Sequence, residues 1–533
     1  MKKIFSFLFL LLSTASISQN NFKPIDSLLA LYNKPGSPGI SIQVVKDGKV
    51  LYSKQSGFAD IENKKSLTKE SVFYMASDAK QFTAACIIML QQRGKLKLED
   101  KLSKYFPDFP EYANTITITN LLNHTAGIKD AAVLALLKGD NIIDYKDDQV
   151  RALLKNASLD YEPGAKYSYS NSDYWFLATI VKQVSGKHIK EFAKENIFKP
   201  LKMKHSLYVD SRDAAFANKV KGYRFSDNVA EATIVDPYHI SGAGLYAPVG
   251  DLQEWLNEMM SKKVFGEAFW AEMFRKRGKN GYAAGLFIGE NEGHPKISHG
   301  GDNDGFHSLM SAYPQDKLSI IVLTNDDEVS PTEIEASIAA KMLGFAEEES
   351  EEEEGSAIVN SIKVPEGILK RYEGVYDNQG MSFSISVEDN SLYIVQVFNL
   401  SSYPVAPVSE NSFTFSGVTF AFSDVVAGKS QTMTILQGED KQQFKRITFT
   451  PEQLQEYCGK YYCKSLDTDY TLFTEGDKLM CKIASGMPLL TVLAKDKIIF
   501  PLGEIVFKRN ESGKIAGFML NHPRAKNFEF SKV

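Results

Sequence analysis

Apolar residues recur along this chain in two rhythms. In QFTAACIIMLQQ, Phe82, Ala85, Cys86, Met89 and Leu90 return every three to four positions, the spacing of one helix face, and Gly94 closes the run. DYWFLATIVKQVSG reads the same way. IQVVKDGKVLY instead places two β-rich segments about Asp47-Gly48, a dipeptide suited to a hairpin turn. Further along, GLFIGE, KISHGG, FHSLMSAY and LSIIVLTN read as strands, and PTEIEASIAAKML reads as a helix. Strands from both ends of one region usually share a sheet. The expectation is an α/β (α+β) unit, an antiparallel sheet flanked by helices with a helical subdomain between its strands.

The pattern changes at AEEESEEEEGS, where seven glutamates sit among nine positions. Such a run repels itself and reads as a solvated linker, placed at 346–362. Beyond it the chain is β-rich and repeats itself at an offset of about 85 residues. RYEGVY matches EYCGKY, Phe422 with Gly428-Lys429 matches Phe507 with Gly513-Lys514, and Met433 with Ile435 matches Phe518 with Leu520. Each unit, 363–449 and 453–533, alternates over short segments as a small all-β barrel or sandwich does.

A length of 533 residues, beyond the roughly 250 to 300 at which one core stops growing, fits this division. Composition is ordinary for a globular protein, and a net charge of −5 gives no footprint for nucleic acid. Lys2 and Lys3, the apolar run Ile4 to Leu12 and the small polar residues to Ser18 have a signal peptide's order, placed at 1–19. Export to the periplasm or medium is therefore expected. No later stretch has the roughly 20 uncharged apolar residues of a spanning helix. Export puts four cysteines where disulfides form. Cys86 sits on a helix's apolar face, Cys458 and Cys463 are too far apart along one strand to bridge, and a bond from either to Cys481 stays open. Zinc spacing is absent, and no metal or cofactor is implied.

Ser77 and Lys80 lie in MASDAKQFTA at the start of the first helical pattern. Residues three apart share a helix face, so hydroxyl and amine can meet there as nucleophile and base. A lysine serves as base only if burial and the positive helix end lower its pKa. A second Ser-x-x-Lys, Ser66 to Lys69, sits in a charged stretch and reads as a solvated turn. Tyr169-Ser170-Asn171 follows a Pro-Gly turn and leads into an apolar helix, with a tyrosine to relay protons and an asparagine to orient lysine and substrate. Tyr112-Ala113-Asn114 and Tyr376-Asp377-Asn378 share the pattern without that context. His299-Gly300-Gly301 ends a strand, where glycines admit a substrate backbone and a following N–H can complete an oxyanion hole.

Three such elements in this order resemble the serine β-lactamase and penicillin-binding family, nearest its class C β-lactamase, D-aminopeptidase and esterase branch, over 23–345. GKLKLEDKLSKYFP, ITITNLLNHTAGI and ISGAGLYAPVGDL are similar to recurring stretches of that branch, which implies structural roles for His124 and Gly244. The resemblance implies that Ser77 attacks, Lys80 and Tyr169 share proton transfer, Asn171 positions substrate, His299 and Gly301 edge the site, and the Ser77 and Asp302 amides bind the oxyanion. The doubled tail resembles, more loosely, paired lipocalin-like barrels that border the active site or act as spacers. Penicillin-processing members usually carry Lys-Thr-Gly where His299 stands. A neutral histidine attracts a substrate carboxylate less, which favours peptide, amide or ester substrates, and Asp78 adds a charge beside the nucleophile. The expected activity is acyl-enzyme hydrolysis, of the D-aminopeptidase, D,D-carboxypeptidase, esterase or β-lactamase kind. The alternatives are a silent protein that binds peptides or cell-wall fragments, and a transpeptidase.

Overall fold

The computed structural model describes residues 25–26, 29, 36–142, 145–211, 214–226, 229–235, 244–278, 280–345, 362–378, 381–388, 390–396, 401–415, 417–438, 440–476, 478–484 and 486–533. Residues 1–19, expected to be a signal peptide, and the glutamate run lie outside them. Six strands form the central sheet: β1 Ile40–Lys46, β2 Lys49–Ser56, β3 Phe287–Asn291, β4 His294–Asn303, β5 Phe306–Tyr313 and β6 Leu318–Thr324. Their order is β3-β4-β5-β6-β1-β2, antiparallel throughout, so strands from both ends of the region do share one sheet. The hairpin turns at Asp47-Gly48.

Every residue of β6 is buried, because helices cover both faces of the sheet. Ile320 and Val322 pack with Ile334 and Ile338 of the helix Pro331–Leu343, while Ile321 and Leu323 join the larger core on the opposite side. That core holds α1 Ala79–Gln92, α2 Ala131–Lys138, α3 Asn171–Ser185 and α4 Val249–Ser261; α5 is Pro331–Leu343. Strand β3 pairs with β4 only from His294 to Ser298. From His299 onward the outer edge of β4 has no strand neighbour. It lies against the turn before α1, so close that a Cβ on Gly301 would stand 2.3 Å from the Met75 carbonyl.

Two closed eight-stranded barrels follow, Gly374 to Ile447 and Gly459 to Lys532. The repeated motif has a physical reason in each. Tyr376 donates its hydroxyl proton to the Tyr372 carbonyl at 2.9 Å, and Tyr461 does the same to Tyr457 at 2.7 Å. Gly374 and Gly459 both have φ of 145°, and a Cβ there would strike Arg446 in one barrel and Lys532 in the other. Those two cations lie over the Tyr376 and Tyr461 rings. All four cysteines are free, Cys86, Cys463 and Cys481 because they are buried as small apolar side chains, so the bond left open to Cys481 is not formed. Among the described residues no helix is long and apolar enough to cross a membrane.

The barrels meet their surroundings differently. The first has a core of its own, whereas the second shares one continuous apolar cluster with the helices beside the sheet. The second barrel clamps helix α2 at both ends. At its C-terminus the Leu137 and Lys138 carbonyls, left without helical donors, accept from Tyr470 Oη at 2.8 Å and Thr468 Oγ1 at 3.0 Å. At its N-terminus Asp130 caps the helix through the Ala132 N–H, and the Asp130 N–H donates to the Arg524 carbonyl at 3.1 Å. Alongside, buried Lys129 pairs with buried Asp160 and donates to the Lys526 carbonyl at 2.6 Å.

Removing one partner of a buried ion pair strands the other charge. Lys129→Ala and Asp160→Ala should each lower stability by about 3 kcal/mol in urea unfolding, and the double variant should lose clearly less than the sum. Strict additivity would mean that the pair does not hold this joint.

Candidate active site

Ser77 stands on a short turn, Ala76–Asp78, that runs directly into α1. Ala76 has φ of 43°, a left-handed conformation costing a residue with a Cβ roughly 1–2 kcal/mol. Hydrogen bonds on either side hold it there, Met75 N–H to the Leu245 carbonyl at 2.9 Å and Asp78 N–H to the Met75 carbonyl at 3.0 Å. Ser77 is half-buried at the cleft while Ala76 and Asp78 turn inward.

One turn later Lys80 is fully buried. Its Nζ lies 3.0 Å from Ser77 Oγ and donates to Asn171 Oδ1 at 2.9 Å. The rings of Tyr169 and Tyr174 flank it, with centroids at 4.9 and 5.8 Å. Loss of hydration is the main force on this amine and pulls its pKa down to about 7; Arg524 pushes the same way, while Asp130, Asp173 and Asp78 oppose. Near neutrality the free base is accessible, and Ser77 can then donate its proton to Nζ. The required position of Lys80 depends on Gly285, whose added Cβ would come within 2.6 Å of the Gln81 backbone.

The Tyr169 hydroxyl is buried and makes no hydrogen bond to a described residue. Burial raises its pKa, and only the nearby Ser77 hydroxyl among its larger influences is an uncharged group acting downward. It therefore stays protonated, ready to donate. Asn171 opens α3, and its N–H donates to Asp130 Oδ2 at 2.9 Å. Ser172 fastens the same helix end, donating to the Lys129 carbonyl and accepting from the Ala131 N–H, both at 2.8 Å. Beneath them buried His124 meets Asp173 Oδ2 at 2.9 Å, and burial drives the two pKa values in opposite directions, leaving both groups neutral.

His299 and Gly301 occupy the free edge of β4 facing Ser77. His299 Nδ1–H donates to the Gly300 carbonyl at 2.7 Å, and Nε2 accepts from Tyr282 Oη at 3.0 Å. Burial, aided by Lys80, lowers its pKa to about 3, so it is a neutral side chain with both nitrogens engaged. Asp302 follows on the same edge with its carboxylate exposed, 3.2 Å from His307 Nδ1. Asp78 is buried, accepts from Ser308 Oγ at 2.6 Å, and is raised by burial to about 8. It is protonated at neutral pH, which removes the charge that its position beside Ser77 suggested.

The structure thus gathers Ser77, Lys80, Tyr169, Asn171, His299, Gly301 and Asp302 around one cleft of about 1180 Å³. The other pattern matches lie elsewhere. Ser66 and Lys69 are exposed, Tyr112 donates to the Leu154 carbonyl, and Tyr376 is inside the first barrel. Sequence reasoning missed Asp130, Gly285 and Arg524. An aspartate just before the apolar run AAVLALLK was a legible cap signal; nothing local marked the other two.

The Beta-lactamase family profile matches residues 25–341. Penicillin-binding protein 4* of Bacillus subtilis (strain 168) is 26% identical over 421 residues, 74% of this chain and 92% of that protein. Protein flp of Staphylococcus aureus (strain MW2) is 28% identical over 305 residues, 54% of this chain and 59% of its own length, so the chain spans less than two thirds of that relative. Among solved structures, the octameric penicillin-binding protein homologue from Pyrococcus abyssi matches with a TM-score of 0.56 at 23% identity, covering 80% of this chain and 99% of that one. The D-amino acid amidase from Ochrobactrum anthropi SV3 complexed with L-phenylalanine amide matches with 0.53 at 21%, covering 61% and 99%. These two likenesses show the fold.

Two pH effects follow from the buried groups. A catalytic Lys80 must lose its proton, so kcat/KM for an ester should rise with pH and reach half its plateau near pH 7. A profile flat from pH 5 to 9 would contradict that role. Asp78, with a folded pKa raised from 3.8 to about 8, contributes stability that is present below pH 3.8 and lost as pH rises through about 8. Asp78→Asn should flatten the fall in melting temperature across that window and retain activity within about fivefold, whereas Asp78→Leu, which leaves Ser308 and Gln81 without an acceptor, should lose 1–3 kcal/mol.

Proposed function

The chain belongs to the beta-lactamase family, and from that premise we propose an exported serine hydrolase that acts on amide, peptide or ester carbonyls through an acyl-enzyme on Ser77. The observation that carries the reading is the buried Lys80 amine within 3.0 Å of Ser77 Oγ, with its proton affinity lowered to neutrality. The Ser77 hydroxyl proton passes to Lys80 as Oγ attacks the carbonyl carbon. The Ser77 and Asp302 N–H groups take the developing oxyanion, a contribution typically of 10²–10³ per donor. Tyr169, whose hydroxyl is buried beside Ser77, gives a proton to the leaving nitrogen or oxygen and takes one back from Lys80, which is thereby free to act as base again. Water then attacks the ester by the same path, and Ser77 is restored.

Export rests on the order of Lys2-Lys3, the apolar run and the small polar residues that follow. Amides and esters are favoured because His299, at the position where penicillin-processing members have lysine, is neutral with both ring nitrogens engaged. The D-amino acid amidase among the structural neighbours points the same way. Peptidoglycan fragments belong to the same chemical class. A silent binding protein would have no use for a lysine stripped of water beside a serine.

The reading is tested by labelling with a fluorophosphonate probe and by turnover of p-nitrophenyl acetate, D-alanine p-nitroanilide, a D-Ala-D-Ala peptide and nitrocefin. Labelling and turnover should vanish in Ser77→Ala and fall by roughly 10²–10⁴ in Lys80→Ala. Undiminished labelling of Ser77→Ala would end the assignment.

A further inference from the structure

The cleft is lined by charges of both signs. On the side of β4 and β5 lie Asp302, Asp304, Asp327 and Glu328, with His307 at 3.2 Å from both Asp302 and Asp327. On the Asn171 flank lies Arg524, the one lysine or arginine among the described residues lining the cleft. It comes from the second barrel, on the turn between strands Ile515–His522 and Ala525–Lys532.

The backbone of this turn is anchored and the side chain is not. The Arg524 carbonyl accepts from Asp130 N–H, its own N–H donates to His522 Nδ1 at 3.0 Å, and the Lys526 N–H donates to Asp160 Oδ1 at 2.9 Å. The guanidinium is about half exposed and makes no hydrogen bond to a described residue. Its one ion contact among the described residues is Nη1 to Asp130 Oδ2 at 3.6 Å, and that oxygen already accepts from Asn171 N–H. A residue serving only to fasten the barrel would need its main chain alone. Here a five-donor fork is held at the wall of the cleft with no hydrogen-bond acceptor among the described residues.

We propose that Arg524 is a substrate-binding residue that takes a carboxylate of the substrate, so that the site prefers anionic amides, peptides or esters. The proposal rests on the hydrolase reading above and adds its substrate class. An arginine fork matches a carboxylate in two parallel hydrogen bonds. His299 cannot supply the cation, since its two nitrogens are spent on Gly300 and Tyr282. The carboxylates of Asp302, Asp304, Asp327 and Glu328 repel an anion, which leaves Arg524 to receive it. The cation absent from the third motif is thus provided by another domain.

The test compares two pairs of esters that differ in one carboxylate: p-nitrophenyl hydrogen succinate against p-nitrophenyl butyrate, and 3-carboxyphenyl acetate against phenyl acetate. Wild type should favour the anionic member of at least one pair in kcat/KM. Arg524→Gln should cut that ratio roughly tenfold, mainly through KM, and Arg524→Lys should keep part of it. A ratio unchanged by Arg524→Gln in a protein of wild-type melting temperature, or no anionic preference in either pair, would overturn the proposal while leaving the hydrolase intact. If no ester is turned over and no fluorophosphonate is bound, the hydrolase reading fails, and calorimetry decides the carboxylate site on its own. Succinic acid monoanilide should then bind more tightly than butyranilide to wild type and equally to Arg524→Gln; equal binding to wild type would overturn it.

Discussion

The burial of one amine organises this molecule. Lys80 is kept from water by the faces of Tyr169 and Tyr174, and its remaining polar contacts are Ser77 and Asn171. A primary amine in such a place gives up its proton readily because the charged form has lost its hydration. The surrounding carboxyls oppose this without undoing it. Asp78 and Asp173 are themselves so buried that they hold protons, and Asp130 is occupied with the N–H groups of Asn171 and Ala132. Three distant stretches of chain converge on the first turn of α1, and each brings an apolar or neutral surface.

What the sequence disclosed and what it withheld divide along this line. Ser77 and Lys80 were legible because three residues on a helix are neighbours wherever that helix sits, and the apolar rhythm from Phe82 to Leu90 fixed the helix. Tyr169 and Asn171 were legible through the turn and helix beside them, and the strands through their alternation. Asp78 misled, since a charged letter beside a nucleophile suggests a field, and only its depth and its bond to Ser308 make it neutral. Gly285 and Arg524 act through contacts with segments far away in the chain, and no local pattern encodes such an encounter. The strained φ of Ala76 is of the same kind, imposed by Leu245 and the turn rather than by any preference of alanine.

The two barrels show how much an inside can stay constant while the outside changes. The tyrosine pair, the glycine at φ of 145° and the cation above the second ring recur in both, because each closes the same seam. Contacts with the rest of the molecule are free of that demand. In the second barrel Thr468, Tyr470 and the Arg524 turn have been fitted to the ends of α2, which is why that barrel shares a core with the helices and the first does not.

The second barrel's place at the cleft also sets the order in which the site comes into being. A ribosome delivers Ser77 and Lys80 early, together with the strand and helices that support them, and Arg524 long afterwards. Until that last turn docks on Asp130, the N–H of Asp130 lacks its acceptor and the apolar side of α2 lacks its cover. A nascent chain therefore carries Ser77 and Lys80 before it carries Arg524, and acquires the full packing of α2 in one late step.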